Sequence, residues 1–159
     1  MKKNNLHPGF RTSKSGLVLS VEQPGLAASP NGFFECECHG RGVIEAKCCW
    51  SHRNEKILDV IQSRNDFYLL PNTEFPEYSF VLRTTHPYYY QVQQQMLVPN
   101  SSYCLFVVYT DVEIAISLVT RDEVVCLEIK EKRQKFFAEV LLPKMVAEWF
   151  VKTDYIPAI

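Results

Sequence analysis

The sequence predicts an α/β or α+β domain, a sheet covered by helices, and three observations carry that expectation. Along the chain the patterns run strands, helix, strands, helix. Two apolar runs of strand length, SYCLFVVYT (102–110) and residues 112–119, follow each other across a tight turn at Asp111, as central and neighbouring strands of a buried sheet do. Ahead of them, HPYYYQVQQQML opens as a helix opens. Thr84 or Thr85 supplies a hydroxyl cap, and Pro87 sits where a missing N–H does no harm.

Taken in order, residues 1–15 are basic and polar, contain Pro8-Gly9, show no period and read as an irregular tail. GLVLSV (16–21) is a short strand ended by Gln23-Pro24-Gly25. Residues 32–48 form a hairpin that leaves a Ser29-Pro30-Asn31-Gly32 turn, reverses at His39-Gly40-Arg41-Gly42 and returns through Glu45-Ala46-Lys47. A reversal centred on Gly40-Arg41 sets Cys38 opposite Val43 and Cys36 opposite Glu45. Asn54 caps a short helix through about Ser63, with Ile57, Leu58 and Ile61 on one face. Residues 67–70 and 79–82 are small strands around the loop PNTEFPE, whose prolines interrupt a ladder. The helix from Pro87 to about Leu97 carries Tyr89, Val92 and Met96 on one stripe and Tyr88, Gln91 and Gln95 on the next. Residues 123–129 read as a further strand. Residues 131–151 read as a long amphipathic helix kinked at Pro143, with Phe137, Leu141, Met145 and Trp149 along one face.

With 159 residues, 47% hydrophobic and 22% charged, the chain suits one globular domain. Seventeen basic and eighteen acidic residues leave no global field for nucleic acid, so any such surface is a local patch. The leading MKKNNLHPGF lacks the apolar stretch of a signal peptide, and no apolar run approaches a membrane span, so a soluble, intracellular protein is expected. Cys36, Cys38, Cys48, Cys49, Cys104 and Cys126 are then expected to be reduced and mainly buried in strands. A zinc knuckle joining Cys36-x-Cys38-His39 to Cys48-Cys49 is not expected, because the assumed hairpin register leaves Cys48 several residues beyond the other thiols.

Period-two alternation puts Glu45 and Lys47 on one face of their strand, with Ile44, Ala46 and Cys48 on the other. Taken alone, the tripeptide is an exposed ion pair worth about 0–1 kcal/mol. Its company changes that reading. GLAASPNG, then GVIEAKC, then HPYYYQVQ, then YCLFVVYT stand in an order that resembles the YqaJ-type viral recombinase family, relatives of phage λ exonuclease in the PD-(D/E)xK nuclease superfamily. The resemblance runs over roughly residues 16–150.

It implies a restriction-endonuclease-like α/β fold, a mixed β-sheet flanked by helices, for residues 16–153, between tails at 1–15 and 154–159, and an exonuclease that hydrolyses DNA phosphodiester bonds with Mg²⁺ or Mn²⁺. The family's SPDG motif falls on Ser29-Pro30-Asn31-Gly32, its Glu-x-Lys on Glu45 and Lys47, and the glutamine of its YxxQxQ helix on Gln91, one turn after Tyr88. By that resemblance Asn31 and Glu45 stand at metal-ligand positions. Lys47 positions or deprotonates the attacking water, Gln91 orients the lysine or the water, and Tyr88 contacts substrate. The partners implied are double-stranded DNA ends or their single-stranded product, and further copies of the chain, since ring-forming relatives exist. Two departures qualify this. Asn31 replaces an aspartate, and an amide oxygen brings no charge to a hard cation that depends on carboxylates. The family's additional acid comes from a helix ahead of the GLVLSV-like strand, a part that residues 1–15 do not supply. The alternative implied is a catalytically inactive, DNA-binding copy of the nuclease fold.

Other residues keep two readings open. Tyr88, Tyr89 and Tyr90 suit either base stacking or core packing. Lys130, Lys132, Arg133 and Lys135 suit either phosphate contacts or a solvated helix face. His39 and His86 are given no catalytic part.

Overall fold

The structure, a computed structural model, describes residues 7–23, 25–73 and 78–153, the last five by backbone only. At its centre is a five-stranded mixed sheet. Its strands are β1 (Arg11–Lys14), β4 (Gly32–Cys36), β5 (Gly40–Cys48), β8 (Tyr103–Tyr109) and β9 (Ile114–Thr120), in the spatial order β1-β4-β5-β8-β9. All neighbours are antiparallel except β5 and β8. A parallel pair needs a long crossover. Here it contains α1 (Ile57–Ser63), the small hairpin β6 (Leu69–Pro71) with β7 (Phe80–Leu82), and α2 (Pro87–Leu97). A separate two-stranded ribbon, β2 (Val18–Leu19) with β3 (Ala27–Ala28), precedes β4.

The register of β5 with its neighbours aligns Val43, Glu45 and Lys47 with Cys104, Phe106 and Val108, and these with Val119, Ser117 and Ala115. That row is one face of the sheet. It packs against Ile57, Val60, Leu69, Val92 and Met96 to form the main core. The opposite face is less covered: Ile44, Ala46, Leu105 and Val107 are half-buried, and Ile116 is exposed. Burial along β8 and β9 alternates accordingly, as period two requires of a sheet with one packed face.

Several sequence expectations are corrected. Residues 11–14 are an edge strand, not irregular: Arg-Thr-Ser-Lys has no apolar alternation to announce it, because all four residues are exposed and the strand is held by its ladder with β4. The hairpin reverses at Glu37-Cys38-His39, with Cys36 opposite Gly40 and Phe33 opposite Val43. Gly40 at φ +68° is the left-handed residue that closes a three-residue loop. Cys38 is therefore in the turn and Cys36 is far from Glu45. Gly42 fits because its missing Cβ leaves room for the Phe34 ring and the Tyr103 carbonyl.

Asn54 does not cap α1. The Ile57 N–H donates instead to Glu113 Oε1 across 2.6 Å, and Val60 is buried where Leu58 was expected. The cap of α2 is not Thr84 or Thr85 but His86, whose Nδ1 accepts from the Tyr88 N–H at 3.1 Å. Residues 123–129 are not a strand. They open α3 (Glu123–Phe136), capped by Asp122 Oδ1, which accepts from the Val124 and Val125 N–H groups. Only Cys126 and Ile129, one turn apart, are buried there, so the β-branched run is overridden by a helical stripe and its cap.

After α3 the helix continues through a π-helical segment, Phe137–Leu141, into α4 (Leu142–Thr153). That wider turn lies just ahead of Pro143, at the expected irregularity. Phe137, Leu141 and Met145 of the predicted face are exposed. The Trp149 side chain, residues 74–77 of the PNTEFPE loop and the terminal tail 154–159 lie outside the described residues. Among the described residues, no helix is long and apolar enough to cross a membrane. All six cysteines are free; Cys38 and Cys48 are exposed and the other four are buried.

Candidate active site on the central strand

Glu45 and Lys47 project from β5 onto the packed face of the sheet, beneath α2. Lys47 Nζ lies 2.7 Å from Glu45 Oε1, and the two side chains are 19% and 5% exposed, so this is not the solvated surface pair that the tripeptide alone suggests. The burial follows from the fold: β5 is flanked on both sides, and α2 lies over it. Two residues one helical turn apart on α2 complete the site. Gln91 accepts from Lys47 Nζ at 3.0 Å through Oε1 and donates to Glu45 Oε1 at 2.9 Å through Nε2. Gln95 donates to Glu45 Oε2 at 2.9 Å. The buried carboxylate thus receives an ammonium and two amides, the compensation a buried charge requires.

The other predicted residues are placed as follows. Tyr88 is half-buried, edge-on to Tyr68 and His86, and its ring lies 4.3 Å from Lys47 Nζ, a cation–π contact. It belongs to the site as a wall. Tyr89 is half-buried and donates to Asp122 Oδ2 at 3.3 Å, while Tyr90 is exposed. Asn31 stands at the start of β4, but its Oδ1 accepts from the Ala46 N–H at 2.8 Å. It therefore braces the hairpin beside Glu45 and Lys47. Lys132 pairs with Glu128.

Gln95 was overlooked as a site residue, although its spacing of four from Gln91 was the available signal. The remaining glutamines of α2 are structural. Gln94 Nε2 donates to the Ala27 carbonyl, fixing the segment that leads to Asn31. Gln93, fully buried, joins the Thr120 carbonyl to the Asp122 N–H.

The site opens into a cleft of about 350 Å³ lined by Lys47, Trp50, Arg64, Tyr68, His86 and Tyr88. Two of the three N–H donors of Lys47 are committed to oxygen acceptors, which leaves one for a ligand oxygen. Burial, and secondarily the nearby Arg83 cation, lower the His86 imidazole from its ordinary value, against the opposing charge of Asp66. Burial pushes the Tyr68 hydroxyl up. Burial, and then the Glu45 charge, raise the Cys104 thiol beside it on β8.

The Mg²⁺ or Mn²⁺ implied by the sequence resemblance can be tested against these donors. A hard cation of this kind takes one or two carboxylates and several further oxygens. Here both oxygens of Glu45 are engaged by protein donors, the Asn31 oxygen is turned to a backbone N–H, and the buried oxygen left without a partner among the described residues, Gln95 Oε1, is a neutral amide. The donor set does not fit a resident divalent cation.

The fold is a mixed α/β sheet with an amine and a carboxylate on its central strand, closed by a glutamine-bearing helix. The chain belongs to the YqaJ-like viral recombinase family, whose domain matches residues 5–103. Among solved structures it is similar to an alkaline exonuclease, LHK-Exo, from Laribacter hongkongensis. The identity is 22% and the TM-score 0.60, over 91% of this chain and 64% of that one. The same enzyme in complex with dAMP matches at 23% identity and TM-score 0.60, with the same coverage. The chain thus spans just under two-thirds of the length of that exonuclease. No curated protein matches it.

Proposed function

We propose that this chain is a nuclease-type domain that engages the DNA phosphodiester backbone in the cleft over Lys47, with hydrolysis impaired because Asn31 replaces a carboxylate. The observation that carries this reading is the Glu45–Lys47–Gln91 cluster. A half-buried amine with one N–H not given to a described oxygen faces an open cleft, beside an aromatic wall and the Arg64 guanidinium, which Asp66 holds from the same cleft, and this suits a phosphate oxygen on Lys47 with a stacked base or sugar behind it. Family membership and the fold shared with an exonuclease support the same substrate class. The engagement of Glu45 by three protein donors favours a second reading, a domain that binds DNA without cutting it.

Both are tested on linear double-stranded DNA with Mg²⁺ or Mn²⁺, comparing the natural chain with Asn31→Asp and Lys47→Ala. The proposal expects little cleavage by the natural chain, a gain in Asn31→Asp, and loss of that gain when Lys47→Ala is added. Anisotropy binding assays should show affinity falling steeply with salt and weakening in Lys47→Ala. No gain in Asn31→Asp, with DNA binding retained, leaves the binding-only reading. Identical behaviour of all variants in both assays would overturn the site.

A further inference from the structure

At the far end of the same hairpin lies a cluster that the Glu45–Lys47 site does not use. His7, Cys36, Cys38 and His39 bring two thiols and two imidazoles together, with one ligand atom from each within 4.8 Å of all the others. Cys38 Sγ is 3.1 Å from His39 Nδ1, 3.2 Å from His7 Nδ1 and 3.5 Å from Cys36 Sγ, and Cys36 Sγ is 3.7 Å from His39 Nδ1. For Zn²⁺, bonds of about 2.0–2.1 Å to nitrogen and 2.3 Å to sulfur place the corners of a tetrahedron about 3.3–3.8 Å apart. The four contacts, 3.1–3.7 Å, lie close to that spacing before any metal is added, and every pair is within 4.8 Å, in a Cys₂His₂ set that is soft and nitrogen-rich where Mg²⁺ would need oxygens. We propose that these four side chains form a structural zinc site that clips the leading segment of the domain to the tip of the β4–β5 hairpin.

The surroundings are built to hold the ligands. The Glu37 N–H donates to the Pro8 carbonyl at 3.0 Å, and the Phe10 N–H turns back to the His7 carbonyl at 3.3 Å. Gly9, at φ +66°, allows that turn. Phe10 stacks on Phe34, with ring centroids 6.0 Å apart. His39 is held edge-on to Tyr103, 5.4 Å between centroids. Cys36 is fixed by its place in the ladder, opposite Gly40. The hairpin register decides the ligand set. A turn centred on Gly40-Arg41 would separate the thiols, whereas the observed three-residue turn sets Cys36, Cys38 and His39 around one point, and His7 arrives from the segment read as a tail. Cys48 and Cys49 have no part in it.

Binding converts two thiols to thiolates and releases two protons to solvent, with no change in oxidation state. Its structural consequence reaches the other end of the hairpin. β1 begins four residues after His7 and runs along β4 to Lys14, opposite Gly32 and next to Asn31. A clip at His7 therefore holds the strand that borders the Asn31 turn.

The test uses the reduced full chain, stripped of metal and titrated with Zn²⁺ or with Co²⁺ as a spectroscopic probe. The expected result is one metal per chain, with the thiolate charge-transfer and visible absorption of tetrahedral Co²⁺ and displacement by Zn²⁺. Cys36→Ser and Cys38→Ser should abolish that spectrum. His7→Ala should weaken binding by at least the ~10–100-fold that even an outer-shell change costs. Cys48→Ser should bind as the natural chain does. Because a hairpin variant can fail to fold, thiol alkylation of the natural chain gives a second reading: Zn²⁺ should protect the exposed Cys38 and leave the exposed Cys48 reactive. Absence of metal binding by the reduced chain, a non-tetrahedral spectrum, binding that survives loss of both Cys36 and Cys38, or a Cys38 left unprotected by Zn²⁺ would overturn the proposal.

Discussion

The two ends of the β4–β5 hairpin carry polar clusters of opposite kinds. Over the middle of β5, one acceptor group is matched by donors: the Glu45 carboxylate receives Lys47, Gln91 and Gln95, and Lys47 in turn reaches Gln91. At the tip, two thiols and two imidazoles converge on one another and are linked by weak thiol hydrogen bonds. The first cluster is electrically complete as it stands, so adding a cation means breaking bonds already made. The second is complete only when something positive fills it. The hairpin so read offers four soft ligands where its sequence motif does not ask for a metal, and one hydrogen-bonded carboxylate where the motif does.

The sharpest way to break this comparison is to remove the acceptor from one cluster and a ligand from the other, both in chelator. Glu45→Ala leaves a buried ammonium and two amides without their oxygen, and should cost about 3–5 kcal/mol in urea unfolding. Cys38→Ser, at an exposed turn, should stay within about ±0.5 kcal/mol of the natural chain without metal. Equal losses in the two variants would show that the clusters are held together by the same means, and the contrast would fall.

A smaller effect sharpens it. Gln95→Leu keeps the apolar contacts of α2 but removes the donor to Glu45 Oε2, leaving a buried acceptor partly unsatisfied at a cost of about 1–3 kcal/mol. In the Asn31→Asp background the same change frees one carboxylate oxygen beside the new acid. Divalent-ion protection against unfolding should then exceed that of Asn31→Asp alone. Unchanged stability in Gln95→Leu would remove Gln95 from the site.

The difference between the clusters also explains how far the sequence could be read. Glu45 and Lys47 share a face of β5 by period two, and Gln91 shares a face of α2 with Tyr88 and Gln95 by period 3.6. Both rules are local, and the YqaJ-like motifs order them, so that cluster was legible, apart from Gln95. The tip was not, because its geometry depends on a register offset that no side-chain period encodes: β4 is GFFEC, apolar on both faces, so a shifted pairing buries equally apolar residues. His7 was unreadable for a related reason, since an exposed edge strand such as Arg11–Lys14 carries no hydrophobic pattern. The helix at residues 123–136 was misread as a strand because Val124, Val125 and Ile129 have β-branched side chains. Asp122 was the local signal that pointed the other way.

The smallest expected effect concerns the helix that closes the first cluster. His86 caps α2 with its neutral Nδ1, which accepts from the Tyr88 N–H, and burial holds the imidazole below its ordinary value. Folding therefore favours the unprotonated ring. Its contribution is fully present above the ordinary histidine range, and it is lost as pH falls from there through the lowered folded value, where a protonated Nδ1 can no longer accept. His86→Asn, which keeps a capping oxygen without titrating, should flatten that part of the stability profile. His86→Ala should flatten it as well and in addition cost about 0.5–1 kcal/mol at neutral pH, the lower part of the range for an N-cap. Because Tyr88 and Gln91 ride on this first turn and a half, the loss should also appear as weaker DNA binding in His86→Ala than in His86→Asn. If the two variants have the same profile and the same affinity, the cap does not set the position of α2 over Glu45.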